Sequence, residues 1–159
     1  MRPLLITLMT LLPLWIFGQT VTLDTTFTGL FRQNCCGWTG SDGTISIALD
    51  DGRSLWGMGD SFIGEVYPDT TRPCLPESRL VNNTLLLQDG HTLTTFFNAS
   101  DTSAYIPGTD TTVAWPGHGI QQEDTIYHFF KEYQGAGLTL VRVNLVKLDA
   151  SSIAILDTQ

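Results

Sequence analysis

Residues 44–49, TISIAL, alternate apolar and polar side chains with a period of two, the mark of a strand with one buried face. Asp50-Asp51-Gly52 supplies turn chemistry, and RSLWGMGD (53–60) returns as a second strand. A three-residue loop ending in glycine suits a type I turn with a G1 bulge. The same pattern recurs twice. LVNNTLLLQ (80–88), the turn at 89–90 and HTLTTFF (91–97) predict a second hairpin. DTIYHFFKEY (124–133), GAG (135–137) and LTLVRVNLVKLD (138–149) predict a third, and SIAIL (152–156) opens a further strand. No window holds a 3.6-residue period over about ten residues, so the chain predicts an all-β fold. Hairpins spaced by about 40 to 50 residues suit the blades of a β-propeller, and a small β-sandwich is the alternative. At about 45 residues per blade, the part after the leader makes about three blades, fewer than the four a closed propeller needs. The reading is therefore a β-propeller domain over 19–159 that is the N-terminal portion of a longer, five-bladed protein.

The first 18 residues form a separate object. Arg2 precedes LLITLMTLLPLWIF (4–17), an apolar run of 14, and Gly18 offers a small residue for cleavage. The run is shorter than the roughly 18–20 residues a membrane span needs, so 1–18 reads as a signal peptide. Export predicts a secreted or periplasmic protein, free of the membrane after cleavage. It also permits disulfides. Of the three cysteines, Cys35, Cys36 and Cys74, an odd one stays unpaired. Adjacent cysteines rarely bond each other, so the expected bridge joins Cys74 to Cys35 or Cys36. A zinc site lacks the usual ligand spacing, and no metal is expected from these residues.

Composition narrows the function. With 42% hydrophobic and 15% charged residues the chain is not a disordered one. Its 22 Thr and 15 Gly favour strands and turns. A net charge of −8 repels phosphate backbones, so nucleic acid is not an expected partner. There is neither a glycine-rich phosphate loop nor a Gly-x-Ser-x-Gly elbow.

The turn at 50–52 sets Leu49 opposite Arg53, and counting outward sets Asp42 opposite Asp60. Opposed like charges destabilise a sheet, so such a pair needs a metal, a shared proton or a substrate. Two carboxylates at the open end of a hairpin suit glycoside hydrolysis: one protonates the leaving oxygen, and the other attacks the anomeric carbon or activates water. The plain alternative is that Asp beside Gly forms turns and caps loop amides. Trp38 and Trp115, read as loop residues, either stack on a sugar ring or cover the core. Asn82 and Asn83 lie within an apolar strand, where unpartnered amides are costly, so they either bind a ligand or bridge neighbouring blades. His118 is a candidate acid/base group, Glu123 a candidate third acid, and both are otherwise solvated loop residues. A polysaccharide lyase, with Tyr105 or His118 as base, is a third option.

GWTGSDGTISIALDDGRSLWGMGDSFIG (37–64), SRLVNNTLLLQDG (78–90) and WPGHGIQQEDTIYHFF (115–130) together resemble an exported bacterial family of former domains of unknown function. That family is similar to five-bladed β-propellers and to the propeller glycoside hydrolases, including endo-acting arabinofuranan hydrolases. The resemblance implies that Asp42 and Asp60 are the family's acids and that Asn82 and Asn83 are its asparagine motif. It also implies a polysaccharide or oligosaccharide partner and no cofactor. His118 stands where an acid is more usual. If the chain is instead a non-catalytic carbohydrate-binding or surface-interaction propeller, Asp42 and Asp60 bind calcium or anchor loops.

Overall fold

The computed structural model describes residues 20–100 and 103–159, so the expected signal peptide lies outside the described residues. The elements are α1 (Thr25–Leu30), β1 (Gly37–Ser41), β2 (Ile45–Ala48), β3 (Ser54–Met58), β4 (Ser61–Gly64), β5 (Ser78–Val81), β6 (Thr84–Asp89), β7 (Thr92–Phe96), β8 (Thr112–Gln122), β9 (Thr125–Gln134), β10 (Thr139–Asp149) and β11 (Ile155–Thr158). They form a three-stranded sheet β1-β4-β5 and two four-stranded sheets, β2-β3-β6-β7 and β11-β10-β9-β8. All pairings are antiparallel. The all-β reading holds. The one helix among the described residues, too short to show a helical period, is capped by Asp24, whose carboxylate accepts from Phe27 N (2.8 Å).

The expected hairpins form but do not each make a sheet. β3 pairs with β6, so the first two share one four-stranded sheet. The third, β9–β10, gains β8 on one side and β11 on the other. β8 contains Trp115 and Pro116, and corrects the reading of WPGHG as a loop. An edge strand tolerates proline, and the register shift between Pro116 and Gly119 absorbs the irregular stretch.

Alternation explains the apolar run of β6. Leu85 and Leu87 face a core with Leu55, Ile126, Phe130, Val146 and Leu148, while Leu86 faces a second cluster with Trp38, Met58, Ile63 and Val81. The sheet is buried on both faces, which is why its central strand reads as a continuous hydrophobic run. The two four-stranded sheets are also tied at their turns. Arg53 pairs with Asp51 (2.6 Å) and donates to Ala150 O (2.7 Å), and Asp50 N donates to the Gln121 side chain (3.0 Å). Gly57 is needed where β3 meets β8 and β9, because a Cβ there would fall 2.8 Å from Pro116 Cβ and 2.9 Å from His128 Cε1.

Two buried titratable groups set the acid response. His128 is fully buried, bonded to Gly117 O (2.9 Å), and desolvation pushes its pKa down from 6.5 to about 4. Glu132 is 1% exposed; hydrogen bonding from Arg142 leads the effects that hold its pKa near 2, helped by Thr112 and Asn144 against the opposing effect of burial. Below pH 6.5 the unfolded chain protonates its histidine while folded His128 stays neutral, so stability falls from pH 6.5 toward about 4. Glu132 contributes fully above pH 4.5, and that contribution is lost as pH falls toward about 2. Denaturant midpoints measured against pH should therefore fall in two stages, with His128→Gln flattening the upper and Glu132→Gln reducing the lower.

The expected bridge to Cys74 is not formed. Cys35 and Cys36 bond each other, and Cys74 is an exposed free thiol. Cys36 takes a left-handed backbone (φ 68°), and the loop that holds this pair borders Leu93, Thr94 and Thr95 of the edge strand β7. Titration of the folded protein with a thiol reagent should find one thiol per chain, and three after reduction and unfolding.

Candidate active site

Three strands cross between the three-stranded sheet and its four-stranded neighbour. The first breaks at Asp42-Gly43-Thr44 between β1 and β2, the second at Gly59-Asp60 between β3 and β4, and the third at Asn82-Asn83 between β5 and β6. The candidate acids and amides thus share one line across the fold. The predicted register is observed: Ile45 lies opposite Gly57 and Ser41 opposite Ser61. Asp42 N donates to Asp60 O (3.2 Å) and Gly59 N to Asp42 O (3.0 Å). The absent side chain of Gly59 makes room for the acid, since a Cβ there would fall 2.6 Å from Asp42 Oδ1. The Ser61 hydroxyl donates to Gly59 O (2.7 Å), fixing the turn that presents Asp60.

A cleft of about 330 Å³ opens at this line, between the crossing strands and the β8 edge. Asp42, Gly43 and Gly59 form one wall; Trp115, Pro116, Lys131 and Tyr133 form the other. Asp60 is half-buried, and its Oδ1 accepts from Trp115 Nε1 (2.8 Å). Asp42 is exposed, and no donor among the described residues bonds its carboxylate. The Trp115 ring packs on Tyr133 with centroids 5.2 Å apart, giving the cleft an aromatic side. Tyr133 also borders a second hollow of about 500 Å³ that contains Asn82, so the two depressions adjoin.

The other expected residues scatter. Trp38 is a strand residue 7% exposed, packed edge-on to Phe31 (6.0 Å), and its ring faces are not open for stacking. Asn83 is fully buried and bridges elements rather than facing a ligand: its amide donates to Ile106 O (2.7 Å) and Ala114 O (2.8 Å) and accepts from Ile106 N (3.0 Å). His118 is exposed in the β8 bulge and does not line the cleft. Glu123 sits in the β8–β9 turn, on the same side as the Asp50 turn and remote from the acids. Tyr105 donates to Ile153 O (2.6 Å) beside the core, and burial pushes its phenol up. Lys131 and Tyr133 escaped sequence reasoning. Alternation along β9 puts them on one face, but only packing against the first sheet shows that this face borders the acids.

The family model of DUF5005, a domain of unknown function, matches residues 24–159. The chain belongs to the DUF5005 family. The matched span starts at the cap of α1 and takes in all three strand crossings, so the whole cleft lies within the DUF5005 region. No curated protein matches the chain. Among solved structures it is similar to a Bacteroides ovatus protein described as a "putative hydrolase", with a TM-score of 0.71 and 17% identity. The match covers 86% of this chain and 43% of that one, and it shows a shared fold.

Proposed function

We propose that the protein is an exported glycoside hydrolase that cleaves a polysaccharide with Asp42 and Asp60. The observation that carries this reading is the opposition of the two acids across one hairpin beside a cleft with an aromatic wall: Asp42 lines the cleft, and Asp60 binds the indole of Trp115 on its facing wall. Asp60, held by the Trp115 indole N–H, is placed to act as nucleophile or base. Asp42, on the open side, has the freedom to deliver a proton to the leaving oxygen. Trp115 and Tyr133 offer flat apolar surface to a sugar ring, and the adjoining hollow at Asn82 lengthens the groove along which a polymer would lie. The hydrolase description of the Bacteroides ovatus protein supports the reaction class, and the apolar leader supports export.

The propeller belongs to the same proposal. The two four-stranded antiparallel sheets suit two blades, where about three were expected, and the three-stranded sheet β1-β4-β5 does not make a third four-stranded blade. The test is reducing-end release on a panel of furanose- and pyranose-based polysaccharides, comparing wild type with Asp42→Asn. Release that disappears in the variant supports the acid pair. Binding without release, abolished by a chelator, would instead mark a calcium-dependent carbohydrate-binding module.

A further inference from the structure

The 16 acidic residues of the chain outnumber its 8 basic ones, so a cation has many carboxylates with which to pair. Arg53, Arg142 and Lys147 each hold an ion pair, and Arg72 lies over the Phe62 ring (4.3 Å). Lys131 is not engaged in this way. It is exposed and lines the acid cleft, and among the described residues its ammonium holds neither an ion pair nor a hydrogen bond, although Asp42 lines the facing wall. Asp60 takes a hydrogen bond from Trp115 instead (2.8 Å).

The register fixes what stands beside this cation. Lys131 is directly opposite Trp115 in the β8–β9 ladder and two residues along β9 from Tyr133, so all three share the strand face turned away from buried Phe130 and Glu132. Its stem passes Gly117, where a Cβ would fall 3.8 Å from Lys131 Cε. Directly opposed residues have Cβ atoms about 4.5–5.5 Å apart, so a sugar ring lying on the Trp115 indole has its edge substituents beside the ammonium. An aromatic platform with an unpaired cation at its side is a site for a ring that carries an anion, and the concave surface strengthens the attraction.

We propose that Lys131 makes the cleft selective for a glycan whose neutral backbone carries isolated acidic groups, a carboxylate or a sulfate ester on the ring held at Trp115. A charge-assisted bond from the ammonium to such a group is stronger than one to a hydroxyl. As a compact point charge, lysine serves either anion. One ammonium balances one acidic group. A polymer charged on every ring would meet Asp42, Asp60 and the net charge of −8 with one cleft lysine to offset them. That the selected glycan is also cut rests on the hydrolase reading of this cleft; the selection itself is read from binding.

The experiment measures binding and reducing-end release by the full-length chain on matched pairs of polymers. Glucuronoxylan and gum arabic are each set beside their carboxyl-reduced forms, a sulfated agaran beside its desulfated form, and polygalacturonate serves as the fully charged probe. Wild type is expected to bind the acidic member of at least one pair about tenfold more tightly than its neutral counterpart, and the pair that shows this identifies the anion as uronate or sulfate. The ratio should fall to near one in Lys131→Gln and be kept in Lys131→Arg, both at an exposed position where folding is unaffected. It should also shrink as salt rises from about 0.05 to about 0.5 M, which a merely structural role would not produce. Equal or absent binding of both members of every pair, a ratio unmoved in Lys131→Gln, or tightest binding of polygalacturonate overturns the proposal. Selective binding with no release from any polymer rejects hydrolysis and leaves the role of Lys131 standing, and release without selectivity does the reverse.

Discussion

Asp60→Asn is expected to lower turnover on a cleaved polysaccharide by at least about 10²-fold, the scale of a lost acid–base or nucleophilic group. The substitution is chosen because it changes little else. Asparagine keeps the volume and an Oδ1 that still accepts from Trp115 Nε1, so the cleft wall stays in place. What it removes is the ionisable carboxyl. Asp42→Asn should match it, since its amide occupies the same space left by Gly59. Neither variant should shift the thermal midpoint much, because Asp42 is exposed and Asp60 retains its bond. Initial rates of reducing-end release, measured beside unfolding curves, separate lost chemistry from lost folding. Unchanged rates in either variant would remove that acid from the reaction.

Asn83→Ala should be the most destabilising polar substitution in the fold, at about 3 kcal/mol or more. Three backbone groups depend on this amide: the carbonyls of Ile106 and Ala114, and the N–H of Ile106. Each buried group stripped of its partner costs about 1–3 kcal/mol. Alanine also leaves a void where nothing is exposed. Asn82→Ala, at a half-buried position beside an open hollow, should cost far less. Urea denaturation of the two variants side by side provides the measurement. A loss below about 1 kcal/mol for Asn83→Ala would mean that water replaces the amide and that the bridge is dispensable.

What the sequence determined by itself is local. The number of residues in the turn at 50–52 sets Leu49 against Arg53, and the two-residue period of a strand carries that register out to Asp42 and Asp60 without any long-range information. The β9–β10 hairpin is legible for the same reason. The family resemblance was likewise carried by short ordered motifs, and the DUF5005 match bears out that they belong to a domain of unknown function. The tertiary structure decided what depends on distant partners. Pairing with β9 turns an irregular, proline-containing stretch into an edge strand, and Trp115 on it finds Asp60 across 55 residues at the cleft. Asn83 reaches over 31 residues to Ala114, which settles bridging over ligand binding. Trp38 alternates into the core because β1 pairs with β4, and Glu123 turns away because the β8–β9 hairpin docks at the opposite end. The pairing of Cys35 with Cys36 rests on the local backbone of one loop as it meets β7. Turn length and side-chain period act between near neighbours and can be counted along a chain. Which face of a sheet meets which edge is a choice among packings, and it is made only when the sheets close on each other.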